Sequence, residues 1–235
     1  MFFGFRILEV KKMVENLIDL LKVSEEYIRY LERKGVKFNS KGFPLLEKEM
    51  FLDEYPELVL PYDFRKNTLV TDPKKTLLCF YCGDKRIYPR LKRVLKDIPE
   101  YKRFLGVVTI DITVTSDMDE EWQAAIMLLQ QLFMAVLAVN GVKVVANLRT
   151  GDARSAENLN DVPRGVMWAA GFLGCAEEDP LDFRFISSTL RVMPSKFVVY
   201  GPEDEIALGK LNMMGFDYRV YDDYHKLSKK YKRSA

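Results

Sequence analysis

After Pro73 the chain alternates short runs of strand-forming residues with longer helical stretches, and this rhythm constrains the fold more than any other feature. The runs are Leu77 to Cys82, Val107 to Thr115, Val142 to Leu148, Val166 to Phe172, Phe197 to Tyr200 and Tyr218 to Tyr221. Several are nearly continuous in apolar residues, as strands covered on both faces require. Helical segments such as Ile87 to Ile98 and Asp119 to Val139 separate them. Alternation of this kind means right-handed β-α-β units and a mostly parallel sheet. The expectation is a single α/β domain with about six strands, either open and doubly wound or an incomplete barrel. Periodicity does not choose between the two.

The flanks read differently. From Val10 to Lys34, Val14, Leu17, Ile18, Leu21, Ile28 and Leu31 recur at helical spacing until Gly35 ends the pattern, which predicts an amphipathic leader helix. Between Asn39 and Pro73 the text is punctuated by Pro44, Pro56, Pro61 and Pro73 and predicts a segment wrapping an edge of the core. The expected organisation is a helical leader and wrapping segment over 1–73, an α/β core over 74–225 and a basic tail over 226–235.

At 235 residues and 48% hydrophobic, the chain is long enough for one substantial core. A formal charge of +2 supplies no global field toward nucleic acid or anionic membranes, so any such partner must meet a local patch. Cys79, Cys82 and Cys175 are an odd set with no secretory pattern ahead of them, which predicts a reducing, cytoplasmic setting. The apolar stretch Ala124 to Val139 contains Gln130 and Gln131 and reads as a buried core helix, with no membrane partner expected.

In a parallel sheet, ligand sites lie in the strand-to-helix loops beyond the strands' carboxyl ends. Those loops are Gly83 to Arg86, Thr115 to Asp117, Arg149 to Asp152, Gly171 to Gly174 and Gly201 to Asp204. The blocks Leu77 to Asp84, Asp111 to Met118, Gly141 to Asp152 and Pro194 to Gly201 carry several of them. With the preceding Pro56 to Tyr62, these blocks resemble the uncharacterised family called domain of unknown function 4417. The similarity spans roughly Pro44 to Tyr221 and implies a phage or mobile-element setting, without an established activity. Arg149-Thr150 departs from that family's pattern, which has a bulky polar or aromatic residue before the Gly-Asp of the third block.

Two constellations are candidates for chemistry. Asp84, Asp111 and Asp152 fall at or within three strands and are candidate catalytic groups and ligands for Mg²⁺ or Mn²⁺, which prefer oxygen donors. Asp84 and Asp152 also suit turns beside glycine, and Asp117 suits a helix cap. Asp111 stands inside an expected strand, where a buried charge is costly unless paired. The second constellation is basic: from Lys74 to Arg103, ten basic residues face three acidic ones, a local balance of +7. Arg86, Arg90, Arg93 and Arg149 are its candidate phosphate or nucleic-acid contacts, a solvated helix face being the alternative. A single histidine, His225, leaves no material for histidine triads, and no P-loop or G-x-G-x-x-G is present. Cys79 and Cys82 have C-x-x-C spacing but inside a strand, where they face opposite sides.

These features lead to an expected accessory protein of a phage or mobile element that handles nucleic acid or a nucleotide at the carboxyl edge of its sheet. One version is an enzyme built on the three aspartates and Arg149, and another binds without turnover through the arginines. A third is a non-catalytic module that docks a host or phage protein through the leader helix.

Overall fold

A computed structural model describes residues 17–172 and 182–234 of the chain. Helix α1 (Leu17–Arg33) is followed by β1 (Leu58–Pro61), β2 (Thr76–Cys79), α2 (Asp84–Leu91), α3 (Val94–Tyr101), β3 (Gly106–Val108) and α4 (Glu120–Val139). Then come β4 (Val144–Asn147), β5 (Met167–Gly171), α5 (Arg184–Val192), β6 (Lys196–Tyr200), α6 (Glu205–Met213), β7 (Tyr218–Tyr221) and α7 (Tyr224–Ser234). The seven strands form one sheet, every neighbouring pair parallel, in the order in which the chain makes them.

That order decides between the two expected architectures. A doubly wound sheet must reverse direction at a switch point, whereas here each strand joins the same side of its predecessor. Twist then accumulates one way and curls the sheet toward closure. The result is a nearly closed barrel. The ladder stops at β1 and β7, and side chains span the seam. The Tyr221 hydroxyl donates to the Pro56 carbonyl at 2.8 Å, Arg219 lies 4.3 Å from the Tyr55 ring centroid, and Tyr224 stacks on Phe64.

Alternating side chains build two cores. Leu77, Cys79, Val108, Val145, Met167, Ala169, Val198 and Tyr200 fill the barrel interior. Leu78, Phe80, Val107, Val144, Trp168 and Phe197 point the other way, into the layer of helices. Helix α4 is the centre of that layer. By length and composition it is apolar enough to cross a membrane, yet most of it is buried among its neighbours. Its buried amides hold the loops around it: Gln130 Nε2 donates to the Ile112 carbonyl at 3.3 Å and Gln131 Nε2 to that of Asn158 at 2.7 Å.

Several expectations shift in detail. The wrapping segment contributes a strand, β1, which the run Leu58-Val59-Leu60 was too short to declare between Pro56 and Pro61. Pro61 is tolerated because it ends an edge strand. The ladder of β3 ends at Val108, so Asp111 lies beyond the strand and not within it. The helix expected over 87–98 is two helices, broken at Lys92 and Arg93. The carbonyl of Leu91, freed at the end of α2, is taken by the Tyr27 hydroxyl of α1 at 2.5 Å. Helix α1 itself packs on α4, burying Leu20, Val23, Tyr27 and Leu31 and leaving Leu21 exposed. Of the expected docking face, Val14 lies outside the described residues, as does Cys175 among the cysteines.

Gly171 closes β5 where the Tyr81 ring enters the barrel, and a Cβ there would stand 2.3 Å from Tyr81 Cδ1. The Tyr81 ring is buried, so it cannot give way cheaply. Gly171→Ala is expected to cost about 1–3 kcal/mol, the usual range for overpacking a filled core, measured by urea unfolding. An unchanged midpoint would mean that the ring has room to move.

Candidate functional site

Parallel strands bring all their carboxyl ends to one rim of the barrel. Asn147 and Tyr200 reach that rim from β4 and β6, while Tyr81, Asp111 and Arg149 follow β2, β3 and β4. The Tyr81 hydroxyl donates to Asn147 Oδ1 at 3.1 Å, and Asn147 Nδ2 donates to Asp111 Oδ1 at 2.8 Å. Arg149 Nε lies 3.8 Å from that same oxygen. The Tyr81 ring stacks on Tyr200 at 5.4 Å, forming an aromatic floor beneath the polar groups.

The electrostatics follow from this packing. The Asp111 side chain is 15% exposed, and burial pushes its carboxyl above the usual carboxylate range. Arg149 and the Asn147 amide pull it down, and the nearby charge of Asp84 pushes it further up. Burial outweighs the two favourable partners because Arg149 stands beyond hydrogen-bond distance. Burial likewise raises the Tyr81 phenol. Cys82, at the same rim, has its thiol pushed up to about 11 by burial, so it is protonated at neutral pH. Cys79 is buried in the barrel interior with its thiol raised in the same direction.

The three candidate aspartates have different settings. Asp84 opens α2 and accepts from the Thr113 backbone amide and hydroxyl, each at 3.2 Å, which ties it to the segment carrying Asp111. It also lines a cleft of about 380 Å³ with Tyr88, Asp117 and Trp122. Asp152 is committed elsewhere. Its Oδ1 accepts from the Ser155 amide at 2.8 Å, and that bond lowers its carboxyl. Its own amide donates to Gln123 Oε1 of α4 at 3.0 Å. The charge of Asp84 is therefore felt at Asp111 across the rim, while Asp152 caps a turn. Among the described residues no group of three or more His, Cys, Asp or Glu side chains is gathered closely enough to hold a metal ion.

The candidate arginines divide in the same way. Arg86 Nε lies 2.7 Å from Asp63, which also holds Arg90 at 3.3 Å. Arg90 and Arg93 both approach Asp97, at 3.9 and 3.7 Å. Arg90 and Arg65 lie 4.9 and 4.1 Å from the Tyr62 ring centroid, so their guanidinium groups pack against an aromatic as well as carboxylates. The net +7 already counts Asp97, and Asp63, which lies outside the segment, offsets one further charge while engaging both Arg86 and Arg90. In the tail, Lys226 and Lys230 both pair with Asp222.

Asn147 and Tyr81 were not singled out in the sequence. The available clue was Asn147 closing the apolar run Val144-Val145-Ala146, a polar side chain where the barrel interior demands a partner. Comparison with protein-family models, with curated proteins and with solved structures finds no match to this chain.

Two outcomes follow from these environments. The folded-state value of Asp111 is raised, so its burial penalty is absent while both states are protonated. The penalty grows as pH rises through the unfolded value of about 3.9 toward the folded one. Asp111→Asn keeps an oxygen to accept from Asn147. It should leave the melting temperature near the parent's in acid and raise it above the parent's at neutral pH; a lower value at neutral pH would mean that the Arg149 attraction dominates. Arg90→Gln leaves the buried Asp97 carboxylate poorer and should cost about 1–3 kcal/mol. The half-exposed Arg93→Gln should cost about 0–1 kcal/mol, and equal losses in denaturant titrations would contradict this contrast.

Proposed function

We propose that the carboxyl rim of the barrel binds a small phosphorylated ligand of the nucleotide class, with Arg149 facing its phosphate and Asp111 as a buried acid-base group. The observation that carries this is the loose Asp111–Arg149 pair. The carboxylate is fixed from behind by Asn147 and Tyr81, yet Arg149 stands off at 3.8 Å with its Nε buried and lacking a hydrogen-bond partner. A guanidinium held in this way has donors left for an oxyanion. A carboxyl lifted by burial keeps its proton at higher pH than an ordinary aspartate, which suits a general acid for a leaving oxygen.

The size of the ligand follows from the barrel. Tyr81 and Tyr200 close the interior below the rim, so the ligand sits in the loops above and not within the barrel. Arg86 and Arg90 are held in ion pairs with Asp63, which favours a small ligand at Arg149 over a nucleic-acid backbone laid along α2. The nucleotide class rests on the phage or mobile-element setting that the family resemblance implies.

A panel of nucleoside mono-, di- and triphosphates should contain at least one that raises the melting temperature of the parent, since a ligand binding only the native state stabilises it. Arg149→Gln should weaken that ligand about ten-fold or more. If turnover accompanies binding, Asp111→Asn should slow it about 10²–10⁴-fold. A panel without effect on the parent, or an undiminished shift in a folded Arg149→Gln variant, would sink the proposal.

A further inference from the structure

The loop after β4 and one face of α5 border a separate open cavity of about 260 Å³. Arg184, Ser187, Ser188 and Arg191 line it from α5 at offsets of three, four and seven, the spacing that places side chains on one helix face. Thr150 and Asp152 line it from the loop, the Asp152 carboxylate being turned to the Ser155 amide at 2.8 Å. The volume lies below that of pockets enclosing a whole drug-sized ligand, so it suits one compact group with the remainder of the ligand outside.

Its two cations are held differently. Arg184 is forked onto Asp182, with Nε and a terminal nitrogen at 2.8 and 2.5 Å from Oδ2. Arg191 makes no ion pair among the described residues, and its Nε is buried with no hydrogen-bond partner. A cation in the last turn of a helix complements the helix dipole, but that role asks only for charge near the surface. Arg191 lines the cavity, and no ion pair or hydrogen bond among the described residues holds its guanidinium, so its remaining N–H groups are left for an acceptor in the cavity. At the other end of α5, the Phe183 ring borders the cavity and is 63% exposed, with the Lys210 ammonium 5.5 Å from its centroid.

We infer that this cavity is a phosphomonoester site, in which Arg191 is the counter-ion of the phosphate and Phe183 the platform for an aromatic group of the ester. The site is distinct from the Arg149 rim and does not depend on the function proposed there. Phosphate suits the donors because a dianion with several acceptor oxygens satisfies a guanidinium and neighbouring hydroxyls together. The aromatic group follows from Phe183, a large exposed ring beside a cavity too small for the whole ligand.

Titration calorimetry of the full chain with phenyl phosphate and with inorganic phosphate tests this. Phenyl phosphate should saturate one site about ten-fold more tightly than inorganic phosphate, through ring stacking. Arg191→Gln should weaken both ligands about ten-fold or more, and Arg191→Lys should restore part of the loss. Phe183→Ala should remove only the advantage of phenyl phosphate, and Arg149→Gln should change neither. Should Arg191→Gln fail to fold, Ser187→Glu puts a negative charge in the same cavity and should abolish binding. No saturation by either ligand in the parent overturns the inference, as does parental binding in a folded Arg191→Gln or Ser187→Glu variant. Loss of phenyl phosphate binding in Arg149→Gln alone would also overturn it, while leaving the rim proposal standing. A phosphodiester, dimethyl phosphate, that binds as tightly as phenyl phosphate would likewise overturn it, by indicating a nucleic-acid backbone as the ligand.

Discussion

Parallel pairing of each strand with the one before it in the chain is the constraint on which the rest of this structure depends. Once strands are added on one side only, the crossover helices must lie on one face, and the other face can be filled only by the strands' own side chains. Helix α4 becomes central for that reason. It lies against the barrel and carries α1 on its far side, so an apolar surface wide enough for a membrane is spent on contacts within the chain. Its glutamines are the complement to this burial. An amide in such a position must find partners, and those of Gln123, Gln130 and Gln131 find them in the loops that lead to the candidate site.

The same constraint explains the chemistry of the rim. Strand ends from β2, β3 and β4 converge there, so polar side chains distant in sequence become neighbours in a partly dry environment. Asp111 retains a charge-stabilising amide and a cation, yet burial still outweighs them. A structure selected only for stability would bring Arg149 into contact or replace the carboxylate with an apolar group. A carboxyl raised by burial beside a loosely held guanidinium is the feature on which the proposed binding rests. The seam between β1 and β7 contrasts with this. Its tyrosines and arginine are fully engaged in closing the barrel and act as mortar.

Some of this was legible in residue order. The six strand runs after Pro73 all correspond to strands, because continuous apolar stretches of that length have few alternatives between turns. Asp111 stood out because a charge amid Val107 to Val114 had to be explained, and the structure places it among the polar groups of the rim. Asp152 and Arg90 stood out for their charge as well, but charge does not reveal its partner. Asp152 answers to Ser155 three residues on, and Arg90 answers to Asp63, twenty-seven residues upstream. Strand β1 was hidden by the prolines around it, and its membership is decided by pairing with β2.

What the sequence determined by itself is therefore what local physics governs: the α/β class, the parallel pairing, the strand runs, the amphipathic α1 and the buried character of α4. Each depends on the period of apolar residues along a few turns or one strand. Tertiary structure alone decided that the sheet curls into a nearly closed barrel, that Tyr81 and Asn147 stand behind Asp111, and that Arg191 faces a cavity without a partner. These depend on which distant segments meet, and that is set by accumulated twist and packing summed over the whole sheet, quantities that no local window of residues contains.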